Sequence, residues 1–74
     1  MRKGDLYLWV TIKESKKDLG KLWEDIAQYG VNLTELGGGT AYVYGEVVME
    51  IAVKVIACCE QYGQVEVSLS AIGH

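Results

Sequence analysis

The sequence predicts a small α+β domain in which two helices cover one face of a four-stranded antiparallel sheet. Two observations lead to this prediction: alternating apolar segments flank two segments of helical periodicity, and the two halves of the chain resemble each other. The chain has 74 residues, of which 50% are hydrophobic and 23% charged. This length limits residues 1–74 to a single domain, and so hydrophobic a composition is typical of a chain that folds.

The internal similarity relates one strand-helix-strand half of the chain to the other. Gln-Tyr-Gly occurs at 28–30 and again at 61–63, each time after an amphipathic segment and before an alternating one. The apolar and aromatic segment at 6–9 likewise matches a second segment at 41–44. Two matches in the same order and at nearly the same spacing favour a repeated unit over chance similarity.

Each predicted element follows from a local pattern. The first strand alternates with period two and is rich in strand-forming residues. The first helix opens with Ser15 and Asp18, which resemble a capping box, and Gly30 supplies its stop. Three glycines at 37–39 form a flexible turn. The predicted strands are 6–13, 31–36, 40–45 and 65–72, and the predicted helices lie between Ser15 and Gly30 and over 47–62.

This β-α-β-β-α-β order is the split arrangement of ferredoxin-like folds, and right-handed crossovers place the first and third strands in the middle of the sheet. A three-stranded sheet, with the glycines as a bulge in one long strand, is the alternative. Period-two alternation predicts which aliphatic side chains the helices cover. These are Leu6, Leu8, Val10, Ile12, Ala41, Val43, Val65, Val67, Leu69 and Ala71, with Val31, Leu33 and Leu36 from the second strand.

Aromatic side chains on the opposite face suggest a function. A contiguous aromatic patch on an open sheet is typical of a contact site. The alternative is cross-strand packing that only stabilises a small sheet. The leading hypothesis is a non-enzymatic protein-interaction or regulatory module, an adaptor or inhibitor, that forms a homodimer or binds another protein. The predicted partner-binding residues are Tyr7, Trp9, Thr11, Tyr42, Tyr44 and Ser68.

The second helix carries a wider apolar arc than one sheet face requires. At about 100° per residue the arc covers roughly 220°. Its far side predicts a second possible interface formed by Met49, Val53 and Ile56. A tightly packed helix with an apolar rim is the alternative.

Two other functions are compatible with the same fold. One is a small-ligand sensor that resembles ACT-like domains, with the ligand held at a subunit interface near the glycine turn. The other is a single-stranded RNA- or DNA-binding domain, because the segments 6–9 and 39–44 resemble the two sheet motifs of RNA-recognition-motif domains. The second segment departs from that pattern, with Thr40 where an aromatic residue is expected. The net charge of −3 makes nucleic acid an unfavourable partner.

Residues suited to catalysis or metal binding are few. The single histidine, His74, ends the chain, and the only cysteines, Cys58 and Cys59, are adjacent in an apolar helix. Apolar burial disfavours a thiolate, and adjacent helical cysteines do not form an unstrained disulfide. A metal site needs more ligands than these. We therefore expect no enzymatic activity, no cofactor and no metal.

The hydrophobic pattern also bears on location. No apolar run approaches the roughly 20 residues that span a bilayer, and the N-terminus lacks the apolar core of a signal peptide. The sequence therefore predicts a cytoplasmic protein without a membrane partner.

Overall fold

A computed structural model describes residues 4–72. Its elements are β1 Leu6–Lys13, α1 Leu19–Ile26, a 3-10 helix Ala27–Tyr29, β2 Asn32–Gly37, β3 Thr40–Val47, α2 Met49–Glu60 and β4 Gln64–Ala71. The small α+β domain with a four-stranded antiparallel sheet and two α-helices is therefore confirmed. The three-stranded alternative is wrong, because β2 and β3 are separate strands that pair around the glycine turn.

The strands lie in the order β2-β3-β1-β4, and all neighbours are antiparallel. This order places β1 and β3 in the middle of the sheet, as the sequence predicts. Val10 of β1 lies opposite Val43 of β3 on one side and Val67 of β4 on the other. The register fixes which side chains share a face, because successive residues of a strand point to opposite sides.

One hydrophobic core joins the sheet to both helices. Alternate residues of the two central strands are buried in it together with the apolar faces of α1 and α2. No side-chain nitrogen or oxygen within residues 4–72 is buried without a hydrogen-bond partner. The buried residues are Leu8, Val10, Ile12, Leu19, Leu22, Ile26, Val31, Ala41, Val43, Val47, Ala52, Val55 and Cys59.

The first helix begins later than predicted. Asp18, not Ser15, caps α1, and its carboxylate accepts a hydrogen bond from the Gly20 N–H at 2.9 Å. Ser15 instead donates its backbone N–H to the carbonyl of Gly39 at 2.9 Å. Glu14 has a φ of 57°, which turns the chain out of β1 and brings Ser15 against the glycine turn.

The repeated glycines after the helices meet different requirements. Gly30 has a φ of 75° and ends the first helical segment in the left-handed conformation that favours glycine. Gly63 is needed for space, because a Cβ there would lie 2.6 Å from the Lys13 carbonyl oxygen. The two halves therefore share a sequence pattern without sharing one backbone geometry at this point.

The second helix is shorter than predicted, because β3 continues to Val47. Val47 pairs with Leu6 of β1 and is buried, so it belongs to the sheet. Helix α2 then runs from Met49 to Glu60.

The helix face of β4 is not buried as predicted. Val67 and Leu69 stand on this face, opposite the buried Val10 and Leu8, yet they are 44% and 37% exposed. Both residues lie on an edge strand, which has a neighbouring strand on one side only. Leu36 of β2, at the other edge, is also exposed.

No helix within residues 4–72 is long and apolar enough to span a membrane. His74, which the sequence predicts to be a tail residue without catalytic function, lies outside the described residues.

Candidate functional site

The six predicted partner-binding residues lie together on the sheet face opposite the core. Trp9 lies between Tyr44 of β3 and Ser68 of β4, and Thr11 lies opposite Tyr42. Tyr7, two residues before Trp9, therefore has the same orientation in the alternation of β1. We call this surface the aromatic face, defined by Tyr7, Trp9, Thr11, Tyr42, Tyr44 and Ser68. Its placement agrees with the sequence prediction, and its role in binding stays a prediction.

Three of the rings form a cluster. The ring centroids of Trp9 and Tyr42 are 4.9 Å apart at an interplanar angle of 44°, and those of Trp9 and Tyr44 are 5.1 Å apart at 23°. Both separations fall in the range that aromatic pairs prefer. All three side chains remain partly exposed, and Tyr7 is 38% exposed. The cluster is therefore ordered by its own contacts while still facing outward.

A hydrogen bond fixes the Tyr44 ring of the cluster. The hydroxyls of Tyr44 and Thr34 are 2.9 Å apart, and the bond links β3 to β2. This contact could be found only from the register, which pairs Thr34 with Tyr42 and so sets Tyr44 diagonal to Thr34. Rings held in this way lose little side-chain entropy when a partner binds.

The charges beside the aromatic face largely cancel. Lys13 Nζ lies 2.6 Å from Glu66 Oε2, and both side chains are exposed. The hydrogen bond and the positive charge of Lys13 lower the pKa of the Glu66 carboxyl, and the same contact raises the pKa of Lys13. Glu46 lies opposite Tyr7 on β3. Over residues 4–72 this face therefore carries no excess of positive charge.

Small polar side chains surround the rings. The register places Asn32 opposite Tyr44, and Ser68 and Ser70 opposite Trp9 and Tyr7. An apolar centre with a polar rim is the usual anatomy of a protein interface.

The residues of the second possible interface have unequal environments. Met49 and Val53 are 53% and 58% exposed, whereas Ile56 is partly buried against the core. Tyr62 comes just after the end of α2, about 180° around the helix from Val53 at 100° per residue, and its hydroxyl lies 3.4 Å from Asp25 Oδ2 of α1. The exposed flank therefore faces away from α1, and only two of the three predicted residues are freely accessible.

The cysteines occupy the end of α2. Cys59 is fully buried, and burial first, then Cys58 and Glu60, raises the pKa of its thiol to about 12. Both cysteines are free thiols. The described part of the chain contains no group of three or more histidine, cysteine, aspartate or glutamate side chains that could hold a metal ion. The expectation of no metal, cofactor or catalytic site stays a prediction.

The glycine turn, which the ligand-sensor hypothesis invokes, packs against another loop. Gly37, Gly38 and Gly39 all have positive φ. A Cβ at Gly39 would lie 2.6 Å from the Ser15 carbonyl oxygen. The inner side of the turn is thus filled by the loop before α1.

Comparisons with protein-family models, with curated proteins and with solved structures found no match to this chain.

Proposed function

We propose that this chain is a non-enzymatic interaction module, an adaptor or inhibitor, that binds a protein partner through the aromatic face. The observation that carries the proposal is the contact of the Trp9 ring with two tyrosines on an outward sheet surface, stacked on Tyr44 and tilted against Tyr42. Tryptophan and tyrosine are the residues most enriched among the strongest contributors to protein binding.

The exposure of the rings favours binding over a purely stabilising role. Cross-strand aromatic pairs do stabilise a sheet, but one such pair across β1 and β3 provides that effect. Here three rings form one cluster across β1 and β3, each of them partly exposed, and Tyr7 of β1 is 38% exposed beside them. Burial of such a surface by a partner is favourable, because it removes apolar area from water.

The charges favour a protein partner over a nucleic acid. Single-strand binders combine stacking rings with a positive groove that follows the phosphates. On the aromatic face Lys13 is paired with Glu66, and Glu46 adds a negative charge beside Tyr7. The complementary partner presents an apolar side chain to the rings and basic or hydroxyl groups to the rim.

We also infer that the fold is of the ferredoxin-like type. The support is the β-α-β-β-α-β element order together with the strand order β2-β3-β1-β4. These are the features that define the split β-α-β arrangement. An experimental structure in which either helix packs on the aromatic face would contradict this inference.

Site-specific photocrosslinking tests the proposed function. A benzophenone-bearing phenylalanine analogue replaces Tyr7, which is 38% exposed, and the matched control carries it at Trp23, which is 42% exposed on α1. After irradiation in the source cells, we expect a defined protein adduct from position 7 that position 23 does not give. Absence of a position-7 adduct, or identical adducts at both positions, would contradict the proposal.

The chemistry of the adduct separates the candidate partners. Loss of the added mass of the adduct on nuclease digestion would indicate a nucleic acid and overturn the protein assignment. An adduct between two copies of this chain at position 7 would indicate a face-to-face homodimer instead. Addition of Trp9→Ala to the position-7 protein should reduce the specific adduct at least fivefold, because Trp9 is the centre of the cluster.

A further inference from the structure

The two edges of the sheet differ in how they prevent pairing with another strand. β2 has six residues, and its register with β3 shifts between Glu35 and Gly37. Glu35 also lies opposite the buried Ala41, so its carboxylate projects on the helix side of the sheet. Short length, a register shift and an inward charge are all features that keep an edge strand from pairing with other chains.

β4 has none of these protective features. Its eight residues pair continuously with β1 from Gln64 to Ala71, and the strand contains no proline, glycine or lysine. Its one charged residue, Glu66, is bound to Lys13. Within residues 4–72 no strand pairs with its outer edge. The backbone groups along this edge are therefore available to another strand.

An apolar strip runs beside the open edge. Val67 and Leu69 are exposed on the helix side of β4. Met49 and Val53 are exposed on the flank of α2 that faces away from α1, and α2 packs on β1 and β4. We call these four residues the β4–α2 strip. A partner that extends the sheet also covers this strip.

We propose that β4 pairs antiparallel with β4 of a second copy of this chain, forming a dimer with one continuous eight-stranded sheet. The strip supports a second copy as the occupant, because each copy supplies both the open edge and the apolar surface that the other needs. A two-fold axis perpendicular to the sheet relates antiparallel strands of this kind, and such an interface is self-complementary.

The charges are compatible with this symmetry. When the axis passes near Val67 or Ser68, Glu66 faces a serine of the other strand rather than the other Glu66. Helix α2 of one copy then lies antiparallel to α2 of the other, so the two Glu60 side chains lie at opposite ends. No like charges are forced together.

The area along β4 is close to the lower limit for a small dimer. A strand of eight residues is about 26 Å long, and with a second dimension of roughly 20 Å the side of the domain offers on the order of 500 Å² in projection. Accessible area exceeds projected area, and specific interfaces begin at about 600 Å² per partner.

The dimer leaves the proposed function intact and extends its surface. A two-fold axis perpendicular to the sheet keeps both aromatic faces on the same side. The two clusters would then bind a longer or two-fold symmetric partner. The dimer does not depend on what the aromatic face binds, so either proposal can fail alone.

Sedimentation velocity over a wide concentration range tests the dimer. We expect the wild-type chain to approach twice its monomer mass as its concentration rises. Val67→Lys should raise the dimer dissociation constant at least tenfold, because it brings lysines together across the axis. The matched control is Leu36→Lys, since Leu36 is exposed on the other edge strand and should leave the dimer unchanged.

Mixing variants of opposite charge at position 67 provides the decisive test of the dimer. A mixture of Val67→Lys with Val67→Glu should restore the dimer, since opposite charges then meet. If Val67→Lys does not fold by circular dichroism, Val53→Lys on α2 replaces it. A wild-type monomer at every concentration up to about 1 mM, far above the roughly micromolar range of stable complexes, would overturn the proposal. A dimer that persists in Val67→Lys and in Val53→Lys but dissociates in Trp9→Ala would also overturn the proposal.

Discussion

The indole of Trp9 stacks on the Tyr44 ring across the two central strands, with ring centroids 5.1 Å apart and planes inclined by 23°. The same indole contacts Tyr42 at 4.9 Å. This contact joins β1 to β3 on the side of the sheet opposite the hydrophobic core. The cluster therefore contributes to the stability of the sheet as well as forming its outer surface, and measurements must separate the two contributions.

Truncation of the central ring should destabilise the domain moderately. We expect Trp9→Ala to lower the free energy of unfolding by about 1–2 kcal/mol, because it removes two aromatic contacts and partly buried apolar area. Urea denaturation followed by circular dichroism measures the change.

Trp23→Ala is the control for Trp9→Ala. Trp23 is 42% exposed on α1, and we expect its replacement to change the free energy of unfolding by less than about 0.5 kcal/mol. Equal effects of the two substitutions would show that the cluster adds no stability. A loss above about 4 kcal/mol for Trp9→Ala would place Trp9 among core residues and weaken the binding proposal.

The hydrogen bond between Tyr44 and Thr34 should be measurable as a coupling. The single variants Tyr44→Phe and Thr34→Val and the double variant form a cycle in which only the 2.9 Å hydroxyl contact is shared. We expect a coupling free energy of about 0.5–1 kcal/mol, the usual net value of such a bond. A coupling near zero would mean that solvent replaces the bond freely at this exposed position.

Alternation along the strands predicted the face of each aromatic ring correctly. The reason is that strand parity depends only on counting: Tyr7, Trp9, Tyr42 and Tyr44 are each an odd number of residues from a buried neighbour. Pair distances and the Thr34 hydrogen bond could not be predicted, because they require the register between strands.

The alternation along the strands could not predict which residues of the core-side face the helices bury. Val67 and Leu69 alternate as Leu8 and Val10 do, yet only the latter are buried. Parity assigns a side of the sheet but does not say how far the helices extend over an edge strand. The prediction that Ser15 caps α1 is wrong for a similar reason. The backbone N–H of Ser15 donates to the carbonyl of Gly39, a residue distant in sequence.

The ion pair of Lys13 with Glu66 predicts a pH-dependent effect. Because the folded-state pKa of Glu66 is lowered, its stabilisation is present above the ordinary value of 4.5 and is lost as the pH falls through the folded value. Because the pKa of Lys13 is raised, its share is present below 10.5 and is lost as the pH rises through the folded value. The contribution is therefore greatest between these limits.

We expect Glu66→Gln to lower Tm by about 2 °C at neutral pH and to approach the wild type below the folded pKa of Glu66. The difference should also shrink in 1 M NaCl, where screening is strong. Glu50→Gln is the control, because the Glu50 carboxylate lies 3.9 Å from Lys54 Nζ and forms a weaker pair. A Tm difference independent of pH would exclude the ion pair as its cause.

The two cysteines should differ in reactivity. A pKa of about 12 for Cys59 leaves about one thiol in ten thousand ionised at pH 8, and the side chain is buried. In Cys58→Ser, where Cys59 alone remains, iodoacetamide labelling should be at least 100-fold slower than after unfolding in urea. In Cys59→Ala, the partly exposed Cys58 should label faster than Cys59 does in the folded state. Rapid labelling of folded Cys58→Ser would contradict the burial of Cys59.

The glycine turn allows the cost of positive φ to be separated from the cost of crowding. Gly38 and Gly39 have φ values of 63° and 77°, so alanine is strained at either position. A Cβ at Gly38 meets no atom within 4 Å, whereas at Gly39 it would lie 2.6 Å from the Ser15 carbonyl oxygen.

Gly38→Ala should therefore lower the free energy of unfolding by about 1 kcal/mol, the conformational penalty alone. Gly39→Ala should lower it by about 2–3 kcal/mol, because the loop at Ser15 must also move and its hydrogen bond to Gly39 weakens. Equal losses in urea denaturation would show that the loop yields freely and that its contact with the turn contributes little to the fold.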